Sequence, residues 1–161
     1  MKNRTLLIIV ALVVAGVAWF LFRPERIFIN RTVNEALPIE TTSGSTPTTS
    51  VTVSEGMFHG VAHETMGTAT ILRLLDGTHV LRLTGFETSN GPDVQVYLGK
   101  AADATDNETV TTAGFFHVGA LKGNIGDQNY ALPSDLDLSE YRSVTIWCRR
   151  FGVNFGTAPL S

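Results

Sequence analysis

The sequence predicts an all-β domain, a β-sandwich of about seven to nine strands, preceded by one N-terminal transmembrane helix and a disordered stalk. Three observations lead to this prediction. An uncharged apolar run lies near the start, a Ser/Thr-rich stretch follows it, and the remaining residues alternate short apolar runs with Gly-, Asn- and Asp-containing turns. The predicted boundaries are residues 1–26 for the anchor, 27–56 for the linker and 57–161 for the sandwich.

The anchor is predicted from "LLIIVALVVAGVAWFLF", Leu6–Phe22, which holds seventeen residues without a charge. With Thr5 this run approaches the minimum length for crossing a bilayer core of about 30 Å. A cleaved signal peptide is the alternative, with Gly16–Ala18 as a small-residue cleavage site. Because the apolar run continues beyond that site through Trp19-Phe20, we expect an uncleaved single-pass anchor in the cell membrane. The Ser/Thr-rich stalk that follows favours the extracytoplasmic side for the globular domain.

The linker is predicted from "TTSGSTPTTSVTVS", Thr41–Ser54, in which ten of fourteen residues are Ser or Thr. Such a segment buries too little apolar surface to offset its chain entropy. We therefore expect it to be a disordered stalk.

The strands are predicted in chain order from alternation and turn residues. "TATILRLLDGTHVLRLTGF" places two β-branched runs around Asp76-Gly77, which predicts a hairpin with a type I′ turn. "DVQVYLG" is a half-buried strand, "GFFHVGAL" and "QNYAL" are shorter strands, and "YRSVTIWCRRFGVNF" is the last long one. "SNGPD" and "KAADATDNETV" between them are predicted loops.

The single cysteine, Cys148, lies in the last of these runs and cannot form an internal disulfide. Val144 and Ile146 share its face, which predicts that it points to the core, whereas Trp147 and Arg149 point to the other side. The odd-numbered apolar residues that follow predict either a crossing between two buried surfaces or a bulge near residues 149–152. A tight hairpin is not expected there, because Cys-Arg-Arg-Phe offers no turn residue.

Two environments compete at this thiol. Burial raises a cysteine pKa, and a nearby guanidinium from Arg149 or Arg150 lowers it. From the residues alone, an isolated cysteine on a strand is typically an inert small hydrophobe.

Residues 58–160 resemble the DM-thirteen domain, the electron-transfer domain of Skeletor-type cell-surface proteins. The resemblance depends on "HETMGTATI", "HVLRLTGFETSNGPDVQVYL", "LKGNIGDQNYALP" and "YRSVTIWCRRFGVNFGTAPL". It implies that Cys148 is the family's signature cysteine, acting as a bare redox thiol or as a ligand to a group such as haem. The resemblance carries over no other site residue. Arg150, Arg149 and Trp147 are candidate supporting residues because they adjoin Cys148 in the sequence, and a redox protein is the expected partner.

A haem needs an axial ligand, which can be His, Met, Cys or Tyr, and the most plausible set here is Cys148 with one histidine. His63, His59 and His117 are the candidates that would join Cys148, although a surface position is the simpler interpretation of each histidine. Covalent c-type haem is excluded because no Cys-x-x-Cys-His occurs. We expect no dedicated metal site; "SNGPD" offers oxygens for calcium but is also good turn chemistry.

Several function classes lack support in the sequence. Residues 56–161 carry seven Lys/Arg and eleven Asp/Glu, a net charge of −4, which disfavours nucleic acid as a partner. Motifs of hydrolases and nucleotide-binding loops are missing. The sequence thus predicts a membrane-anchored redox or electron-transfer module that uses Cys148. The alternative is a non-catalytic extracellular sandwich that binds a protein or glycan, with Cys148 as packing.

Overall fold

The structure, a computed structural model, describes residues 2–22, 29–37 and 50–161. Two α-helices, one 3₁₀ turn and nine strands are found in these residues. In chain order they are α1 (Lys2–Phe22), β1 (Val51–Met57), β2 (His59–Gly60), β3 (Thr65–Arg73), β4 (His79–Thr88), β5 (Val94–Gly99), α2 (Asn107–Ala113), β6 (Phe115–Ala120), β7 (Gln128–Leu132), the 3₁₀ turn (Leu138–Glu140), β8 (Ser143–Cys148) and β9 (Val153–Pro159).

The strands form two antiparallel sheets, and this confirms the predicted all-β sandwich. One sheet has the order β1-β3-β4-β7 and the other has the order β2-β9-β8-β5-β6. The core between them is built from the inward residues of both sheets, with Phe86, Leu83 and Ile146 among its most buried members. Burial of these apolar side chains is the main source of the domain's stability.

The β3–β4 hairpin forms where the sequence predicts it, but with a longer loop than a type I′ turn. Arg73 pairs with His79, so residues 74–78 connect the strands. The carboxylate of Asp76 accepts hydrogen bonds from the Thr78 amide at 2.8 Å and the Thr78 hydroxyl at 2.6 Å. These bonds lower the pKa of Asp76. Gly77, with φ at 85°, supplies the left-handed residue that the loop needs.

A second, smaller core covers the outer face of the five-stranded sheet. It consists of Tyr97, Ala104, Val110 and Trp147. Val110 belongs to α2, whose first turn is capped by the Asp106 carboxylate accepting from the Thr109 amide at 2.7 Å. The loop predicted over "KAADATDNETV" therefore contains the start of a helix, and this helix closes the outer face of the sheet.

The N-terminal residues form α1, but the transmembrane prediction is not supported. Within the described segments, no helix is both long enough and apolar enough to cross a membrane.

The region predicted as linker contains two ordered pieces. Residues 29–37, which we call the strap, lie along the β6–β7 connection, where Thr32 forms a parallel bridge with Ile125. Val51–Met57 forms edge strand β1, whose pairing with β3 supplies partners for its backbone. The prediction of disorder for Thr41–Ser54 is therefore wrong from Val51 onward; positions 41–49 lie outside the described residues.

Candidate functional site

Cys148 is the last residue of β8, and its side chain has no exposed surface. It is a free cysteine and belongs to the core between the sheets. Val94 on β5 and Val153 on β9 are its cross-strand neighbours. The sequence prediction that Cys148 faces the core with Val144 and Ile146 is thus correct, and the thiol is enclosed by apolar side chains.

The chain reverses directly after Cys148, contrary to the sequence expectation that a tight hairpin is unlikely there. Residues 149–152 form the connecting loop, and the Cys148 carbonyl accepts hydrogen bonds from the amides of Phe151 at 3.3 Å and Gly152 at 2.9 Å. Gly152 has φ at 63°, the left-handed conformation that lets the chain turn. Phe151 lies at the tip of this loop and is 66% exposed.

The predicted bulge exists, but it lies in β9 rather than at residues 149–152. Ile146 pairs with Gly156, whereas Trp147 pairs with Asn154, which leaves Phe155 as the extra residue. The bulge explains the change of phase in the sequence, because both Phe155 and Asn154 are buried.

The two arginines after Cys148 point away from the core. The guanidinium of Arg149 donates to the carboxylate of Asp93 at 2.9 and 3.3 Å. The backbone amide of Arg149 donates to the backbone carbonyl of Asp93 at 2.9 Å. The bonds from Asp93 raise the pKa of Arg149. Arg150 is exposed in the same loop. Arg149 therefore forms its ion pair with a carboxylate, whereas the sequence had suggested that its guanidinium lies beside the thiol of Cys148.

Asp93 closes the turn "SNGPD" and joins it to the β8–β9 loop. Besides Arg149, its carboxylate accepts from the side-chain amide of Gln95 at 2.7 Å. The turn before it is fixed by Asn90, whose side-chain Nδ2 donates to Asn30 Oδ1 in the strap at 2.8 Å. The oxygens of Asp93 thus accept the hydrogen bonds that hold the turn "SNGPD" against the β8–β9 loop.

The three histidines considered as haem ligands lie in three different environments. His59 Nε2 is 2.8 Å from Asp103 Oδ1, and His117 Nε2 is 2.8 Å from Gln95 Oε1. The ring of His63 packs on Phe155 with centroids 4.0 Å apart. The structure does not bring any of them together with Cys148 as a ligand pair.

The donor set therefore does not fit a haem. The thiol is fully enclosed in the packed core, and His117 faces the outer side of the sheet with Tyr97, their rings 5.5 Å apart and perpendicular. Among the described residues, no group of three or more His, Cys, Asp or Glu side chains is arranged to hold a metal ion. We derive no step through a prosthetic group.

Three aromatic residues, which we call the aromatic stack, lie on the outer face of the sheet that carries Cys148. Phe115 and Tyr97 are parallel with centroids 4.2 Å apart, and Tyr97 and Trp147 are 6.4 Å apart. Phe115 is 40% exposed, whereas Tyr97 is 3% and Trp147 is 6% exposed. Burial is the main cause that raises the pKa of Tyr97. The stack therefore leads from the surface to the residue directly before Cys148.

Of these residues the sequence singled out only Trp147. Tyr97 and Phe115 were recognisable as strand residues, but they meet because β6 pairs with β5, and Tyr97 lies near Trp147 because β8 pairs with β5. A sequence does not show which of its strands become neighbours.

A cleft of about 350 Å³ lies beside this site. Its walls are the strap residues Ile29 and Arg31, the turn at residues 89–95, and residues 120–124. Val94 contributes to the wall and is also the cross-strand partner of Cys148. One side chain thus connects the wall of the cleft to the environment of the thiol.

Comparison with protein families gives one finding. A family model described as "Electron transfer DM13" matches residues 57–160, which is more than half of the chain. Searches of curated proteins and of solved structures gave no match.

Proposed function

Because the chain belongs to the DM13 electron-transfer family, we propose that its domain exchanges single electrons with a redox protein and that the thiol of Cys148 is the redox group. The observation that carries the proposal is the position of Cys148. It follows Trp147 in β8, so the sulfur is buried on one face of the sheet while the aromatic stack covers the other face.

Burial decides which redox chemistry is feasible. Thiol–disulfide exchange needs a thiolate to reach a disulfide sulfur, and the enclosed side chain of Cys148 denies that approach. Transfer of an electron does not require the two groups to touch. We therefore propose electron transfer rather than disulfide exchange for this domain.

The proposed step is a one-electron oxidation of the thiol. The S–H group of Cys148 loses one electron and one proton and becomes a thiyl radical. The electron passes through Trp147 and Tyr97 to a one-electron acceptor protein docked at Phe115. The proton is released to bulk water when the loop at residues 149–152 opens. The location of the domain outside the cell membrane stays a prediction from the sequence.

A chemical one-electron oxidant tests this proposal on the purified full chain. Hexachloroiridate(IV) is mixed with wild type and with Cys148→Ala, its absorbance is followed, and freeze-quenched samples are examined by electron paramagnetic resonance. We expect a tyrosyl radical that decays quickly in wild type and accumulates in Cys148→Ala, because the variant lacks the final electron donor. Equal decay in both proteins would contradict a redox role for Cys148.

The complete burial of Cys148 also favours the second candidate, a binding module in which the cysteine is packing. A buried thiol surrounded by valines behaves as a small apolar side chain. In that case Cys148→Ala changes the free energy of unfolding and leaves the consumption of hexachloroiridate(IV) unchanged.

A further inference from the structure

The strap is bound to the domain as an added extended segment. The amide of Val33 donates to the Ile125 carbonyl at 2.9 Å, the amide of Ile125 donates to the Arg31 carbonyl at 3.3 Å, and the amide of Glu35 donates to the Asp127 carbonyl at 2.9 Å. Alternate residues of the strap thus use their backbone for binding. This is the pattern by which an extended peptide adds to a sheet or loop edge.

The surface beneath the strap, which we call the groove, is formed by residues 121–129 together with Arg82. Two glycines adapt it to a close backbone. A Cβ atom at Gly123 would collide with the Arg31 carbonyl, and one at Gly126 would collide with the Val33 carbonyl. Gly126 also has φ at 97°, which disfavours any other residue there. The groove is therefore shaped for a peptide chain.

One side chain of the strap enters a charged pocket in the groove. The Glu35 carboxylate accepts from Lys122 Nζ at 2.8 and 2.9 Å and from the Asn129 amide at 2.8 Å. These bonds, first that from Lys122, lower the pKa of Glu35. Because Lys122 and the Asn129 amide both donate to this carboxylate, the groove favours a negatively charged group and holds it in one position.

The pocket is held in shape by its own network. Arg82 donates to Asp127 at 2.6 Å, to the Asn129 side chain at 2.8 Å and to the Glu35 carbonyl at 3.2 Å. The Asn129 side-chain amide donates to the Ala36 carbonyl at 2.7 Å. The groove thus recognises the strap through its backbone on both sides of the carboxylate.

The strap and the groove differ in their relation to the family. The groove lies inside the matched residues 57–160, and the strap lies outside them. We propose that the groove is a docking site for an extended peptide segment that bears a carboxylate. The strap is the tethered occupant of this site, and an acidic segment of a partner protein binds by displacing the strap.

The tether sets the concentration at which displacement occurs. A segment joined to its own binding site competes with an effective concentration on the order of millimolar. A free peptide must approach that concentration to displace the wild-type strap. Removing the carboxylate of the strap alone should lower the required concentration by about threefold to tenfold, because Glu35 accepts hydrogen bonds from two groups but its ion pair with Lys122 is partly exposed to solvent.

The test uses a fluorescein-labelled peptide of strap sequence, INRTVNEAL, and the full chain. Peptide binding is measured by fluorescence anisotropy with wild type, Glu35→Gln and Glu140→Gln, the last being a control for an exposed carboxylate that pairs with Lys100 at 2.6 Å. We expect Glu35→Gln to bind the peptide at a concentration about threefold to tenfold lower than wild type. We expect Glu140→Gln to behave as wild type.

Two further measurements complete the test. Lys122→Met added to Glu35→Gln, or a peptide with Gln in place of its Glu, should lose this binding. Amide hydrogen exchange at Val33 reports whether the strap has left the groove in Glu35→Gln.

Three results would overturn the proposal. In the first, the strap is released and the peptide still does not bind. In the second, the strap stays bound without its carboxylate. In the third, wild type is a dimer by light scattering and Glu35→Gln is a monomer, which would identify the strap of a second copy as the occupant.

Discussion

Asp93 Oδ2 lies 2.9 Å from Arg149 Nε, and this ion pair joins the turn before β5 to the loop after β8. Val94 and Cys148, the residues next to the two partners, face each other across β5 and β8. The pair therefore fixes the two loops at the end of the core where the thiol is buried.

Breaking this pair should expose the thiol more often without unfolding the domain. In Asp93→Asn we expect the free energy of unfolding to fall by less than about 1 kcal/mol, because Arg149 is largely exposed. The reaction of Cys148 with a thiol reagent in the native state should become several-fold faster. Glu140→Gln, at a separate exposed ion pair, is the control and should leave the labelling rate unchanged. An unchanged rate in Asp93→Asn would show that another contact closes the core.

Substitutions of Cys148 should separate packing from polarity. We expect Cys148→Ala to lower the free energy of unfolding by about 1–2 kcal/mol, because it removes one buried atom from a packed core. Cys148→Ser should lower it by about 1–3 kcal/mol more, since its hydroxyl enters an apolar environment. Chemical denaturation measures both values. A serine variant more stable than the alanine variant would reveal a polar partner beside the sulfur.

Acid should release the strap. The pKa of Glu35 is lower in the folded chain than its ordinary value of 4.5, so the folded state binds this proton less readily. The stabilisation by Glu35 is therefore complete above that ordinary value and is lost as the pH falls through the lowered pKa. Protection of the Val33 amide, corrected for intrinsic exchange, should decrease over this range. In Glu35→Gln the protection should be low and should not change with pH in this range.

The proposed electron path predicts a specific effect of one phenol. Tyr97→Phe keeps the stacked ring but removes the group that forms a stable radical. We expect oxidation of Cys148 by hexachloroiridate(IV) to become slower, with no tyrosyl signal from this position. Tyr141→Phe, which changes a tyrosine outside the aromatic stack, should match wild type. If both variants react equally fast, the electron does not pass through Tyr97.

The strands were predictable because their signal is local. Alternation in "DVQVYLG" and "SVTIWC" is enough to place Val94 and Cys148 on inward faces, and the structure agrees. The prediction that "DVQVYLG" is half-buried is wrong, because every residue of β5 is buried and its outer face is covered too. The short helix α2 was not predicted because its residues, Asn-Glu-Thr-Val-Thr-Thr-Ala, are mostly weak helix formers. Its cap at Asp106 and its packing through Val110 determine the helix instead.

The environment of the thiol was harder to predict because it depends on distant residues. Arg149 is one residue from Cys148, but its carboxylate partner Asp93 lies 56 positions away in the chain. The strap shows the same difficulty, since the Arg31 amide binds an asparagine 93 positions further on. Neither segment has a composition that indicates its partner.

The strap also determines how mechanical tension enters the domain. In chain order it lies between α1 and β1, and it is bound to the groove by backbone bonds and by the Glu35–Lys122 pair. A force applied to the N-terminal helix would act on these bonds before it acts on the edge strand β1. The strap would have to detach first, and only afterwards would β1 be peeled from β3.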